Sequence, residues 1–278
     1  MEMATYAENT WCPGCGDMGL LNAFKKAVVS LVEEGFVKKE NIVVSSGIGC
    51  HAKIADYLNL NSFYSIHGRA ITTITGMKIG NPDLKVVSFQ GDGDALAEGI
   101  AHIVHAAKRN IDATLVVHDN RVYSLTTGQF TPTSAKGFRG KSTPFGSVEQ
   151  PMNPLSVVLA SGGTFVARAY VGKIKHLQEI FREAIKHEGF SFIQVMQPCV
   201  TFLNTFKEWN ELAYIMEDHD PSDFDAAWTR AQEQDKMPLG IFYQKKAPTY
   251  EKELLGEFNP SKHPEVKMDE LKAIFSER

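Results

Sequence analysis

Apolar positions recur along this chain with two periods that take turns. Over residues 18–34, Leu20, Leu21, Phe24, Val28, Leu31 and Val32 fall on one helical face, and Gly35 stands where such a helix would end. Residues 41–46 (NIVVSS), 84–90 (LKVVSFQ) and 112–118 are short, β-branched runs that predict strands. Between the last two, residues 94–109 predict a helix with Leu96, Ile100, Ile103, Val104 and Ala107 turned inward. Residues 153–160 predict a further helix, with Asn153 as N-cap and Pro154 in the first turn. A strand over 164–169, an amphipathic helix over 173–188 ended by Gly189, and a strand over 190–197 follow. After Pro198 the pattern loosens: 209–235 is helical in parts, 238–243 (PLGIFY) is a strand and 268–278 a surface helix.

Buried strands separated by helices imply βαβ units, hence an α/β fold with a mostly parallel sheet and helices on both faces. Ligands of such sheets collect at the carboxyl ends of the strands. Residues 126–154 are rich in Thr, Gly and Pro with little periodicity, which points to a functional loop rather than a bare connector. With 278 residues and 43% hydrophobic content the chain can bury a large core. A net charge of −4 argues against a nucleic-acid partner. The longest apolar runs, 113–117 and 190–196, are too short to span a membrane, and the first nine residues show no basic or apolar leader. The expectation is therefore a soluble, cytoplasmic protein. In that reducing compartment the four cysteines suit a metal or catalytic use better than two disulfides.

Gly91-Asp92-Gly93-Asp94 falls where a predicted strand turns into a helix. Glycines there let backbone approach a phosphate, and the Asp92 carboxylate is placed to hold a hard cation bridging phosphate oxygens. One strand later, Asp119-Asn120-Arg121-Val122-Tyr123 offers the Asn120 amide oxygen and the Val122 carbonyl, a mixture that Mg²⁺ accepts. A GDGD turn alone is as often conformational as functional; the second oxygen-rich turn strengthens the case. His67-Gly68-Arg69 adds an imidazole and a cation suited to outer diphosphate oxygens, with an ordinary surface turn as the plain alternative.

All four cysteines fall in predicted turns: Cys12 and Cys15 in WCPGCG, Cys50 in GIGC, Cys199 in QPC. Structural cysteines usually sit inside apolar elements, so a ligand set of four is favoured. A thioredoxin-type motif is disfavoured because only eleven residues, none strand-like, precede Cys12. A Cys₄ zinc site, or Cys50 and Cys199 as bystanders, stays open on spacing alone.

GDG, a helix, an apolar strand and Asn is similar to the thiamine-diphosphate motif. WCPGCG, SSGIGC, HGR, GDGDALAEGIAHIVHAAKRNID, DNRVYSLTTGQFTPT and QPC in one order resemble the β subunit of 2-oxoacid:ferredoxin oxidoreductases, over residues 11–205. The resemblance implies Mg²⁺ on Asp92, Asn120 and Val122. It implies thiamine diphosphate near Ile48, Gly49, His51, His67, Gly93, Asp94, Ser124 and Leu125, and one 4Fe-4S cluster on Cys12, Cys15, Cys50 and Cys199. Residues 1–205 would be the cofactor domain, and 206–278 a C-terminal extension packed on it. The implied reaction is oxidative decarboxylation of a 2-oxoacid to acyl-coenzyme A and CO₂ with reduction of ferredoxin. It needs an α subunit, because a carboxylate from a second domain activates the aminopyrimidine ring. 2-Oxoglutarate is the favoured substrate and pyruvate the next, with Lys53, Arg121 and Arg139 as candidates for the second carboxylate. Ser124 and Thr127 stand where this family tends to have glycine, which re-shapes the pocket. The rivals are a non-redox thiamine decarboxylase or synthase subunit with zinc, and a non-enzymatic Cys₄ scaffold.

Overall fold

Along each central strand, neighbouring side chains enter different cores. Val86, Leu115, Val117, Phe190 and Phe192 pack in one, while Val87, Phe89, Val116, Ile193 and Val195 pack in the other. A strand whose two faces are both buried belongs to a sheet covered by helices on both sides. The computed structural model describes residues 2–262 and shows that arrangement; the helix expected over 268–278 lies outside the described residues.

In chain order, α1 (Gly16–Glu33) leads to β1 (Ile42–Ser46), the single turn α2 (Ile54–Tyr57) and β2 (Asn61–Tyr64). Then come α3 (Ala70–Gly80), β3 (Lys85–Gly91), α4 (Ile100–Arg109) and β4 (Ala113–Asp119). A small hairpin of β5 (Val122–Tyr123) and β6 (Gln129–Phe130) opens the long loop, which ends at α5 (Pro154–Ala160). β7 (Phe165–Tyr170), α6 (Ile174–Lys186) and β8 (Phe190–Met196) complete the second half of the parallel sheet. The tail adds α7 (Phe206–Leu212), β9 (Ala213–Ile215), α8 (Phe224–Ala231), β10 (Met237–Gln244) and α9 (Tyr250–Leu255).

The main sheet runs β2-β1-β3-β4-β8-β7-β10-β9. Its pairings are parallel except β10 against β7, which is antiparallel with an irregularity between Ile241 and Tyr243. The strand expected over 238–243 therefore extends the same sheet, and residues 206–262 share its cores. Helices α1 and α6 cover one face; α3, α4, α5 and α8 cover the other. Asn153 caps α5 as expected, its side chain accepting from Ser156 N.

The helix expected over 94–109 is broken. Asp94–Glu98 forms a π-helical turn, and α4 begins only after Gly99. The freed Glu98 carbonyl accepts a 2.7 Å hydrogen bond from Arg69 Nη1, and Gly99 packs against the Gly68 carbonyl with no room for a methyl. Such insertions recur at functional sites because they re-aim a side chain, here Asp94. Helix α3 went unforeseen because its sequence, AITTITGMKIG, is β-branched. Burial of Ile71 and Ile74 supplies what intrinsic propensity withholds.

The core beneath the site is built round Phe24, fully buried and edge-on to Phe89 at 4.9 Å and Phe181 at 5.4 Å. Truncation to Phe24→Ala is expected to cost about 3–5 kcal/mol from lost transfer energy plus the cavity left behind. Denaturant unfolding of the two proteins measures it; a loss below about 1 kcal/mol would show that the core collapses into the gap.

Candidate active site at the carboxyl ends of the parallel strands

Five parallel strands, β2, β1, β3, β4 and β8, deliver their carboxyl ends to one edge of the sheet. There a cavity of about 120 Å³ is lined by residues 48–51, His67, 91–94, Asn120 and 122–126. Of the residues implicated by the sequence, Ile48, Gly49, Cys50, His51, His67, Gly91, Asp92, Gly93, Asp94, Asn120, Val122, Ser124 and Leu125 all meet here. Gly68 and Arg69 do not line it: the Gly68 amide is turned to Asp94, and Arg69 is engaged with Glu98. Tyr123 and Thr126 join the lining unforeseen.

Asp94 is the hub of this cavity. Its carboxylate, 1% exposed, accepts from Gly68 N at 2.7 Å and lies 2.8 Å from His67 Nδ1 and 3.3 Å from His51 Nε2. Neither imidazole nitrogen is aligned for a hydrogen bond, so these two approaches are electrostatic contacts. Burial pushes the Asp94 carboxyl up, but contact with His51, the Gly68 amide and the charge of His67 outweigh it and hold it below its usual range. Gly47 must be glycine for this approach, since a methyl there would overlap the Asp94 carboxylate. Gly93 is held likewise: a methyl would strike the ring of Tyr123, whose hydroxyl donates to Gly93 O at 3.2 Å.

A second buried acid, Asp92, receives the hydroxyls of Thr131 and Thr133, and Thr133 Oγ1 also lies 2.8 Å from Asp119 Oδ1. Gln194 Nε2 donates to the other Asp119 oxygen at 2.6 Å. Burial first, then repulsion from Asp119, pushes the Asp92 carboxyl up to about 7. Beside it, Asn120 Oδ1 accepts from Val122 N at 3.1 Å, while Asn120 Nδ2 donates to Ser124 Oγ at 2.9 Å and Gln197 Oε1 at 3.1 Å. Asp92, Asn120 and Val122 thus line one cavity and bring it a carboxylate, a side-chain amide and a backbone carbonyl, the donor types of a hard cation that also carries phosphate oxygens. A bound cation would relieve the raised Asp92. The residues present fit Mg²⁺.

The four cysteines line an adjoining cavity of about 180 Å³, which shares Cys50, Asn120, Ser124 and Leu125 with the first. Cys15 is the residue before α1, and Cys50 opens a short 3₁₀ turn rather than lying in an irregular loop. Trp11 Nε1 donates to Cys50 O at 2.7 Å, Thr201 Oγ1 to Cys12 Sγ at 3.3 Å and Gln197 Nε2 to Cys15 Sγ at 3.6 Å. Burial, then the charge of Asp17, pushes the Cys50 thiol up to about 11 and raises Cys15 further. Among the described residues no three Cys, His, Asp or Glu side chains converge to hold a single ion. The four cysteines line one cavity instead, with N–H and O–H donors directed at the sulfurs of Cys15 and Cys12, which suits a bulkier iron–sulfur group.

Sequence reasoning missed two features under both cavities. Asp17 Oδ1 lies 2.7 Å from His118 Nδ1 with both side chains 1% exposed, and Asp17 Oδ2 accepts from Cys15 Sγ at 3.6 Å. Thr131, Thr133 and Ser134 come from the loop flagged only as functional; Thr131-Pro132-Thr133-Ser134 was the available signal.

The folded chain binds the Asp92 proton more tightly than the unfolded chain. This group therefore favours folding below its ordinary value of 3.8 and loses that contribution as pH rises through about 7. The melting temperature of the metal-free chain is expected to fall more steeply over that window in the wild type than in Asp92→Asn. Equal slopes in scanning calorimetry would clear Asp92 of the effect.

Residues 47–195 match the family described as thiamine pyrophosphate enzyme, C-terminal TPP binding domain, and residues 199–257 match the family of the C-terminal part of the pyruvate ferredoxin oxidoreductase beta subunit. A 2-oxoacid:ferredoxin oxidoreductase subunit beta from Sulfolobus sp is 41% identical over 266 residues, covering 88% of this chain and 85% of that one. The 2-oxoglutarate oxidoreductase subunit KorB of Mycobacterium tuberculosis is 43% identical over 195 residues, covering 70% of this chain and 51% of that one. A solved 2-oxoglutarate:ferredoxin oxidoreductase from Magnetococcus marinus, with 2-oxoglutarate, coenzyme A and succinyl-CoA bound, superposes with a TM-score of 0.90 at 36% identity, covering 99% of this chain and 94% of that one. The cavity at the strand ends, the adjoining cavity lined by the four cysteines and these relatives agree: the chain belongs to the beta subunits of the 2-oxoacid:ferredoxin oxidoreductases.

Proposed function

We propose that this chain binds thiamine diphosphate, Mg²⁺ and one 4Fe-4S cluster, and works with an α subunit to convert a 2-oxoacid, coenzyme A and oxidised ferredoxin into acyl-coenzyme A, CO₂ and reduced ferredoxin. The observation that carries the reading is the shared wall: the cysteine cavity and the cavity of the GDG turn have Cys50, Asn120, Ser124 and Leu125 in common. A decarboxylase that moves no electrons has no use for that adjacency.

Bound thiamine diphosphate supplies the nucleophilic carbon and the electron sink of the reaction. The chain's own residues hold and orient. Asp92, Asn120 and the Val122 carbonyl would hold Mg²⁺, and Gly93 leaves backbone free beside the diphosphate. Asp94 fixes His51 and His67 against the cavity, so their ring positions are set before any ligand arrives. Cys12, Cys15, Cys50 and Cys199 would hold the cluster.

Exposed Ile48 and Leu125 line the cavity, and Phe63 and Tyr64 on edge strand β2, with Ile66 just beyond it, are exposed as well. Such exposed apolar residues suit a protein partner, which supports the α subunit. Of the cations considered for a second substrate carboxylate, Lys53 lines the cysteine cavity and donates to Thr10 Oγ1 at 2.9 Å, Arg121 faces another cavity, and Arg139 is exposed. None lines the thiamine cavity, so the reading assigns recognition of 2-oxoglutarate's distal carboxylate to the partner. Relatives named for 2-oxoglutarate favour that acid over pyruvate. No described helix is long and apolar enough to cross a membrane, which agrees with a cytoplasmic enzyme.

Anaerobically prepared chain should carry iron and acid-labile sulfide in equal amounts and show broad visible absorbance bleached by dithionite, all lost in Cys50→Ser. The chain alone should be inactive; with its α subunit it should reduce ferredoxin faster with 2-oxoglutarate than with pyruvate. Zinc without sulfide would overturn the redox reading and leave a thiamine decarboxylase or synthase subunit. Separately, Asp94→Ala should weaken thiamine diphosphate binding by about tenfold, equivalent to about 1.4 kcal/mol, by calorimetry. Unchanged affinity would deny Asp94 its organising role.

A further inference from the structure

The turn after β4 has a second side. While Asn120 and Val122 face the thiamine cavity, Arg121 between them faces a separate cavity of about 280 Å³. Arg168 on β7 and Lys236 line it too. Arg168 is 8% exposed; its Nε donates to Gln194 Oε1 at 2.9 Å, and its guanidinium lies 5.4 Å from the Phe242 ring centroid. Among the described residues no carboxylate comes within the 4.0 Å of an ion pair with it, and its two terminal nitrogens donate to none of them.

Buried charge of this kind is expensive unless something neutralises it. Two acids, Glu208 and Glu233, line the same cavity, and Glu233 and Asp119 support the Arg168 charge from a distance without pairing with it. Glu233 is held by Arg230 Nη1 at 2.6 Å and the Tyr214 hydroxyl at 2.7 Å, Glu208 is solvent-exposed, and Asp119 sits behind Gln194, which donates to it. Burial draws the Arg168 guanidinium down to about 10, so it stays protonated at neutral pH. Arg121 is braced over Trp209 at 5.2 Å and Lys236 over Tyr214 at 5.8 Å, and neither is ion-paired among the described residues.

We propose that this cavity is a second ligand site, built for a phosphate-class oxyanion. Two planar guanidinium forks match tetrahedral or planar oxyanions through paired N–H donors, and an ammonium at the rim adds a point charge. A volume close to the lower end of small-molecule pockets admits a phosphate with a small group attached. A free phosphate and the phosphate of a nucleotide share this chemistry.

The test is calorimetric titration of the full chain at constant ionic strength, with saturating thiamine diphosphate and Mg²⁺. Inorganic phosphate and adenosine 3′,5′-bisphosphate are the two probes. Saturable binding is expected, weakened about tenfold or more in Arg121→Gln and in Lys236→Gln, whose side chains lie at the cavity but outside the buried core. Arg168→Gln should abolish it, and because a substitution so deeply buried can also unfold the chain, the other two variants decide the outcome. Tighter binding of the bisphosphate would make the ligand a nucleotide phosphate; equal binding would make it the free anion. No saturable binding of either probe, binding indifferent to Arg121→Gln and Lys236→Gln, or binding seen only when thiamine diphosphate is left out would each overturn the proposal.

Discussion

Three strand ends converge on one buried negative charge. Asp94 reaches the site only because the chain after β3 winds as a π turn, and its carboxylate then gathers the Gly68 amide, His67 and His51 from the ends of β2 and β1. A carboxylate 1% exposed must be compensated, so these partners are drawn in by the cost of leaving it alone. The requirement propagates outward. Gly47 has to lack a side chain, Arg69 is released from the cavity to bond the carbonyl that the π turn frees, and the mouth of the cavity is fixed before any cofactor is bound.

A similar logic joins the two cavities. Asp17 contacts Cys15 through one oxygen and His118 through the other, and the His118 ring lies 5.6 Å from that of His51. Burial lowers the His118 imidazole, outweighing the Asp17 contact, and its Nε2 has no partner among the described residues. A neutral imidazole bonded to a buried carboxylate is a rigid spacer. It fixes the start of α1, and with it Cys15, relative to β4, whose end carries Asp119 and Asn120. The cysteine cavity is thus registered against the cavity of the GDG turn through the core, without reliance on the surface loops that line both.

What the sequence made legible was whatever chemistry lies next to a strand end within a few residues. GDGD, DNRVY, HGR and the cysteine turns each announce themselves locally, because they close apolar runs read as parallel strands, and the carboxyl ends of such strands are where ligands bind. The Asp17–His118 contact spans 101 residues, and each partner looks like an ordinary member of its element. Thr131 and Thr133 lie in a loop without period, and nothing in the sequence tells which hydroxyl will find Asp92. Helix α3 misleads for another reason. Its β-branched residues favour extended backbone, and the burial of Ile71 and Ile74, which only the tertiary fold supplies, overrides that preference.

The turn of residues 119–123 shows how one backbone solution serves two sites. Asn120 and Val122 line the same cavity, yet Arg121 stands between them. The left-handed conformation of Arg121, φ 62°, reverses the chain there so that Val122 N can reach Asn120 Oδ1. A non-glycine residue in that region costs about 1–3 kcal/mol, and the surroundings offset it. Ser134 donates its hydroxyl to the Arg121 carbonyl, and the guanidinium stacks over Trp209 of α7. The C-terminal part of the chain therefore does more than extend the sheet: by bracing Arg121 it helps to hold the shape of the turn on which the proposed Mg²⁺ site depends.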